Sequence, residues 1–95
     1  MYGVVRRYQG APQLFDELER RHTEVEDVLR GVPGFVAYYL IRAGDGGASF
    51  TVCENRAGTE ESTRRAGAWV REHVPAAAGS PPEVTEGEVI IQFTK

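Results

Sequence analysis

The chain has little of what marks the more specialised classes of protein. Its single cysteine, Cys53, cannot form an internal disulfide, which excludes a small disulfide-stabilised scaffold. Its longest apolar run, residues 35–41, is far shorter than the ~20 residues that a membrane-spanning helix needs. Aspartate occurs at only three positions, all surface-like, and the sequence offers no defensible Ser-His-Asp arrangement.

The charge of the chain is close to balanced. It has 11 basic and 14 acidic residues, and no basic run is longer than two residues. Nucleic-acid binding is not expected, because phosphate contacts dominate that affinity and need a concentrated basic surface. The first residues lack the charged-then-apolar order of a signal peptide. Together with the lone cysteine, these features predict a protein of a reducing compartment such as the bacterial cytoplasm.

The first part of the sequence predicts a strand and then one long amphipathic helix. Residues 2–9 are rich in β-type side chains, and Pro12 suits the first turn of a helix, where its missing N–H costs nothing. The helix is expected to end near Gly31. Its apolar stripe consists of Leu14, Phe15, Leu18, Val25, Val28, Leu29 and Val32.

The remainder predicts a hairpin, a second helix and a last strand. Seven consecutive apolar or aromatic residues at 35–41 are typical of a strand buried on both faces. A glycine-rich turn at 43–47 and a return strand at 48–54 complete the hairpin. The second helix ends at Pro75, and the last strand runs from about residue 84 to 93. The inner stripe of that helix consists of Ser62, Ala66, Trp69, Val70 and His73.

This order of elements predicts a single α+β domain over residues 1–95. Its fold class is ferredoxin-like βαββαβ, a four-stranded antiparallel sheet with two helices on one face. Yet residues 35–41 and 89–91 are apolar on both faces. A homodimer through the sheet faces is therefore expected, since a second copy would cover the free face. The alternative is a free face of semi-exposed tyrosine and valine side chains.

His22 is the candidate catalytic residue, because it lies on the apolar stripe of the first helix between Leu18 and Val25. An imidazole there ionises in the range where a general base works at neutral pH. The alternative is a half-buried histidine at the edge of the stripe, with one ring nitrogen hydrogen-bonded or hydrated.

Trp69 and His73 stand four residues apart and share one face of the second helix. Trp69 is predicted either to fill the core between helix and sheet or to form a platform for a ligand. His73 could line the same place, or it could stabilise the helix C-terminus as a cation. The two histidines and Cys53 lack the spacing of metal ligands, so no metal site is expected.

Neighbouring Tyr38 and Tyr39 must point to opposite faces of the second strand. Phe35, Ala37, Tyr39 and Ile41 would share one face, and the small Ala37 would let a helix approach. Tyr39 is therefore predicted to face the helices and any ligand pocket, and Tyr38 to face the dimer interface.

Several local strings resemble one known superfamily. They are VPGF at residues 32–35, the Gly-Asp-Gly turn at 44–46, VCEN at 52–55 running on to EES at 60–62, AWVRE at 68–72 and EVTEGEV at 83–89. On these strings the sequence resembles the dimeric α+β barrel superfamily, and within it the small bacterial proteins of the antibiotic-biosynthesis-monooxygenase-like branch. The resemblance covers nearly the whole chain and implies fold more than chemistry.

The resemblance also implies a place for the chemistry. Monooxygenases of that branch hold an electron-rich phenolic substrate between sheet and helices, without metal or flavin, which implies that this chain needs no cofactor. The positions that often carry Trp and His in that branch hold Cys53 and Ser62 or Thr63 here. A ligand pocket is implied that is lined by Trp69, Tyr39, Ser62, Thr63 and His73.

Haem degradation is not expected from the same resemblance. Haem-degrading relatives use an asparagine of the first strand together with a tryptophan and a histidine from the second-helix region. Residues 2–9 contain no asparagine, and the spacing from Trp69 to His73 is shorter than in those relatives.

Two functions of different classes remain. The first is a small dimeric enzyme, monooxygenase-like, that acts on an apolar or aromatic small metabolite between sheet and helices. The second is a non-catalytic dimeric module that binds a small ligand or a partner. A water-poor cavity with convergent polar groups would favour the enzyme.

Overall fold

The elements of the computed structural model, which describes residues 1–77 and 79–95, follow the predicted order. The bounds are β1 Tyr2–Tyr8, α1 Pro12–Arg20, α2 His22–Arg30, β2 Phe35–Ala43, β3 Gly46–Cys53, α3 Arg56–His73, a 3₁₀ turn Pro75–Ala77 and β4 Glu83–Glu88. The four strands form one antiparallel sheet in the order β2-β3-β1-β4. This confirms the predicted α+β ferredoxin-like fold class. None of the helices in the described part of the chain is long and apolar enough to cross a membrane.

The sequence predicted one long helix after β1, but the structure has two, α1 and α2, so the prediction of a continuous helix was wrong. The chain bends at Arg21, whose φ of -107° and ψ of 32° are not helical. Between Leu18 and Val25 the sequence carries only polar residues, so no core contact favours a straight continuation. The bend keeps the apolar stripes of both α1 and α2 on the twisted sheet.

The predicted facing of Tyr38 and Tyr39 was also wrong, because β2 carries a bulge. The register to β3 shifts between Phe35 and Ala37, so one extra residue reverses the alternation that follows. Tyr38 consequently faces the helices, while Tyr39 lies on the helix-free face and is 63% exposed. A run of uniformly apolar residues contains no pattern from which such a bulge could be predicted.

The last strand is shorter than predicted and ends at Glu88. Tyr2 pairs with Glu88, and the Val89 N–H donates to the Met1 carbonyl at 2.9 Å. Later residues lie past the start of β1 and pair with no strand among residues 1–77 and 79–95. Ile90, Ile91 and Phe93 are therefore 76–86% exposed.

Helix α3 begins in close contact with the end of β3. The Asn55 side chain caps it by accepting a hydrogen bond from the Gly58 N–H at 3.2 Å. A Cβ atom at Gly58 would lie 2.7 Å from the Cβ of Cys53, so only glycine permits this approach. The contact sets α3 across the sheet, with Trp69 in the core beside Leu14, Phe15 and Val74.

Candidate functional site

A groove of about 570 Å³ opens between helices α1 and α2 and the edge strand β2. Apolar and aromatic side chains make up most of its walls, among them Phe15, Leu18, Val25, Phe35 and Tyr38. Its volume lies in the range of small-molecule sites, which bury a ligand mainly against such side chains.

A smaller cavity of about 30 Å³ lies behind this groove, between the sheet and α3. A space of that size holds about one water molecule. Arg6, Tyr8, Ser49 and Trp69 are among the residues that line it. Five residues line both the groove and the inner cavity, which makes the two spaces neighbours: Leu18, Val25, Leu29, Tyr38 and Leu40.

Arg6 is the most unusual residue of this region, since its guanidinium is buried and 2% of the residue is exposed. Its Nη1 donates to Ser49 Oγ at 3.4 Å and to Thr51 Oγ1 at 3.1 Å. Its Nη2 donates to Ser62 Oγ at 2.9 Å and to Thr63 Oγ1 at 2.8 Å. Burial lowers the pKa of Arg6, yet a guanidinium stays protonated in proteins. Among the described residues, only hydroxyl groups accept hydrogen bonds from this cation.

Two phenols stand near this cation on the helix-facing side of the sheet. Burial raises the pKa of Tyr38 to about 12, Tyr8 adds to the rise, and Arg6 opposes it. Burial likewise raises the pKa of Tyr8, again against the effect of Arg6. Both phenols are therefore neutral hydrogen-bonding groups near pH 7 rather than counter-charges.

Trp69 and His73 belong to a second polar cluster, which is joined by Glu24 of α2. The Trp69 Nε1–H donates to Glu24 Oε1 at 3.1 Å, and His73 Nε2 lies 2.7 Å from the same oxygen. The His73 ring stacks on Trp69 with centroids 4.3 Å apart, and its Nδ1 lies 2.9 Å from the Trp69 carbonyl oxygen. The Glu24 carboxylate and the Trp69 carbonyl oxygen both accept a hydrogen bond from His73 when both nitrogens of its imidazole carry a proton.

His22 borders the mouth of the groove and is exposed. Its Nδ1 lies 3.1 Å from the Glu19 carbonyl oxygen, which only accepts hydrogen bonds. The neutral ring therefore donates through Nδ1 and keeps Nε2 free as an acceptor. Such a nitrogen could take a proton from a group bound at the outer end of the groove.

The structure distributes the predicted pocket residues over three places. Trp69 lines the inner cavity, while Ser62 and Thr63 reach it through the guanidinium of Arg6. Tyr39 touches the groove along the edge of β2, from the far face of the sheet. His73 faces away from the groove, towards α1 and Glu24, in a shallow depression of its own.

Sequence reasoning missed Arg6, Tyr8, Tyr38 and Glu24. A signal for Arg6 existed, because Tyr2, Val4, Arg6 and Tyr8 alternate along β1 and share its inner face. Because Arg6 is on this inner face, the alternation predicts that its charge is buried. Glu24 had no such signal, since its contact with α3 depends on how two helices pack. In the described part of the chain, no three His, Cys, Asp or Glu side chains are grouped as metal ligands would be.

Comparison with known protein families gives one match. A protein-family model described as antibiotic biosynthesis monooxygenase matches residues 1–55, more than half of the chain. No curated protein sequence is significantly similar to the chain.

Three solved structures share the fold over almost all of this chain. A protein of unknown function from Nitrosomonas europaea has a TM-score of 0.76 at 15% identity, covering 99% of this chain and 93% of that one. A variant of MhuD with two manganese protoporphyrin IX groups bound per active site has a TM-score of 0.69 at 17% identity, with both chains covered completely. A monooxygenase of Streptomyces coelicolor in complex with nanaomycin D has a TM-score of 0.66 at 18% identity, covering 99% and 90%. Identities this low show the fold alone.

Proposed function

The chain belongs to the antibiotic biosynthesis monooxygenase family, and we propose that it oxidises a small aromatic metabolite with dioxygen, without metal or flavin. The observation that carries the proposal is the aromatic-walled groove of about 570 Å³ that backs onto a mainly apolar inner cavity, where Arg6, Tyr8, Tyr38 and Ser49 are the polar residues. The monooxygenase that binds nanaomycin D, a protein of the same fold, supports it.

The groove suits a flat ring system of two or three fused rings. Phe15, Phe35 and Tyr38 provide aromatic walls, and the apolar residues of α1 and α2 close the opposite side. Arg42 lies at one end, where it donates to Asp16 Oδ1 at 2.8 Å, and thereby ties β2 to α1. Most of the surface of a ring bound here would be removed from contact with water.

The proposed reaction balances without an added reductant. A phenol with a hydrogen para to its hydroxyl reacts with one dioxygen molecule to give a quinone and water. One oxygen atom enters the ring and the other leaves as water, while the substrate supplies all four electrons. In this scheme His22 Nε2 accepts the phenolic proton, and the neutral Tyr38 hydroxyl is placed to hydrogen-bond the substrate.

The test is dioxygen consumption with 1-naphthol, followed by detection of 1,4-naphthoquinone, in buffer containing a chelator. His22→Ala is expected to lower kcat about 100-fold with little change in KM if His22 is the base. Thr23→Ala is the matched control, since Thr23 is the next residue on α2 and does not line the groove. Turnover by His22→Ala at the wild-type rate would remove His22 from the mechanism.

A second candidate function is binding without catalysis, and one observation favours it. The polar groups of the inner cavity are Arg6, Tyr8, Tyr38 and Ser49, and none of them is a base near neutral pH. His22, the candidate base, lies at the exposed outer end of the groove. Tight binding of 1-naphthol with no dioxygen uptake would establish this function and reject the enzyme.

We also propose that a second copy of the chain covers the helix-free face of the sheet, as the apolar pattern of β2 predicts. Val36, Tyr39 and Ile41 are 45–63% exposed there, and Ile90 and Ile91 are even more exposed at the other edge. Native mass spectrometry is expected to show a species of twice 10.5 kDa. A monomer at micromolar concentration would contradict the dimer, and Ile41→Asp is expected to weaken it relative to Arg30→Asp, at an exposed position of α2.

A further inference from the structure

Arg6, which lines the inner cavity, carries a positive charge that no described residue neutralises. Four hydroxyls accept hydrogen bonds from the two terminal nitrogens of Arg6, but hydroxyls bring dipoles rather than a negative charge. The fifth donor, Nε–H, is buried and has no hydrogen-bond partner in the part of the chain that the structure describes. A buried charge without a counter-charge destabilises the folded protein, because the charge has lost its hydration.

The neighbouring groups do not remove that cost. Tyr8 and Tyr38 keep their protons, and Cys53 is a buried thiol whose pKa burial raises. The carboxylate of Glu86 on β4 acts electrostatically on Arg6 and raises its pKa, but Glu86 is exposed and makes no salt bridge with Arg6 among the described residues. The other arginines of the chain either pair with surface carboxylates or lie in solvent.

We infer that the groove takes an aromatic ligand with an anionic oxygen at its inner end, a carboxylate or a phenolate distinct from the hydroxyl that faces His22, and that this oxygen accepts the hydrogen bond of Arg6 Nε–H. The inference rests on the proposed function, since it names the charge of the molecule that the groove binds. The two spaces match the two parts of such a ligand. The groove has the volume for the rings, and the inner cavity has room for about one oxygen-sized group.

The first arm of the test uses the unmodified protein. Calorimetric titration compares 2-naphthoate with 2-naphthamide, which has nearly the same shape and no charge. Naphthoate is expected to bind about tenfold or more tightly, because a hydrogen bond to a buried charged group is stronger than a neutral one. Equal affinities would overturn the inference and leave the aromatic groove of the proposed function standing. Binding of neither compound would instead overturn the proposed function, and this inference with it.

The second arm asks whether Arg6 causes the preference. Arg6→Met removes the charge at similar length, Arg6→Lys keeps it, and Arg7→Met is the matched control. Arg7 is the next residue of β1, faces the other side of the sheet and contacts Glu83. Arg6→Met is expected to bind both compounds equally, whereas Arg7→Met keeps the preference for naphthoate. An unchanged preference in a folded Arg6→Met protein, checked by circular dichroism, would overturn the assignment to Arg6.

The third arm separates the two sources of the anionic oxygen. The colour of 4-nitrophenol reports its ionisation, so titration with and without protein shows which form binds. If the site takes phenolates, the bound dye ionises at lower pH than the free dye, and Arg6→Met abolishes the difference. If the site takes only carboxylates, naphthoate binds and the dye does not. A dye that binds in its neutral form with no shift would contradict the phenolate source.

Discussion

Two polar clusters beside the core, the partly exposed one around Glu24 and the buried one around Arg6, differ in how their charges are satisfied. Around Trp69, the carboxylate of Glu24 accepts from the indole and faces the imidazole of His73, and Arg21 donates to its other oxygen at 3.3 Å. The buried indole N–H there has a carboxylate as its acceptor. Around Arg6, a full positive charge meets only hydroxyls and leaves one donor without an acceptor.

The difference separates a cluster in which opposite charges meet from one that retains a buried cation without a counter-charge. The Glu24 cluster joins α2 to α3 on the side away from the groove, where a ligand would add nothing. The Arg6 cluster lines the cavity behind the groove. Proteins place strain and unpaired charge at functional sites because selection for binding tolerates the cost in stability.

The largest expected effect is that of Trp69→Ala, which removes the centre of the first cluster. The change leaves a cavity in the core and should lower the free energy of unfolding by about 3–5 kcal/mol. Trp69→Phe, which keeps most of the volume, is the control and should lose much less. Chemical denaturation followed by circular dichroism measures both. A loss below about 1 kcal/mol for Trp69→Ala would show that Trp69 is not a core residue.

A smaller effect is expected from Glu24→Ala, which leaves the buried indole N–H of Trp69 without its acceptor. An unsatisfied buried donor costs about 1–3 kcal/mol. Glu26→Ala is the matched control on the same helix, where the carboxylate pairs only with exposed Arg30. Equal melting temperatures for the two variants would mean that the Trp69 hydrogen bond contributes nothing.

Arg6→Met should behave in the opposite way in the absence of ligand. Removing an unneutralised buried cation for an apolar side chain should change the free energy of unfolding by less than about 1 kcal/mol or raise it. Thermal unfolding of the wild type and the variant, both without ligand, decides the point. Destabilisation by more than about 3 kcal/mol would make Arg6 a structural residue and would erase the contrast between the clusters.

The smallest effect is the pH dependence of the Glu24 contacts. Burial raises the pKa of Glu24, but hydrogen bonds from Trp69 and Arg21 and the charge of His73 lower it further, to below the usual 4.5. Its stabilisation is therefore complete above pH 4.5 and is lost as the pH falls through the folded-state pKa. The gap in melting temperature between wild type and Glu24→Gln should close over that range.

Glu61 provides the control for that titration on the outside of α3. Arg64 and Arg65 hold the pKa of Glu61 at about 2, so its contribution should last from pH 4.5 down to about pH 2. The difference in melting temperature between wild type and Glu61→Gln should therefore persist after the difference for Glu24→Gln has disappeared. If both differences disappeared at the same pH, the cause would be global acid unfolding rather than the titration of one cluster.

Sequence patterns were reliable where one local period decided the outcome. β-type side chains identified β1, the glycine-rich turn placed β3, the 3.6-residue stripe placed the helices on the sheet, and the short strings resembling the family agreed with its match to residues 1–55. The pattern misjudged Tyr38 and Tyr39, because a bulge changes the phase of a strand without changing its composition. It also extended β4 to residue 93, since an apolar run does not reveal whether a partner strand exists.

The sequence by itself determined the order of the elements, the antiparallel α+β fold and the family, because each depends on periods and strings carried by neighbouring residues. Only the tertiary structure decided which polar groups meet. Arg6 finds Ser49, Thr51, Ser62 and Thr63 from more than 40 positions away, at separations of 43 to 57 residues. Glu24 meets Trp69 across 45 residues. Contacts at such separations depend on how sheet and helices pack, which no local pattern contains, and the candidate site is built from them.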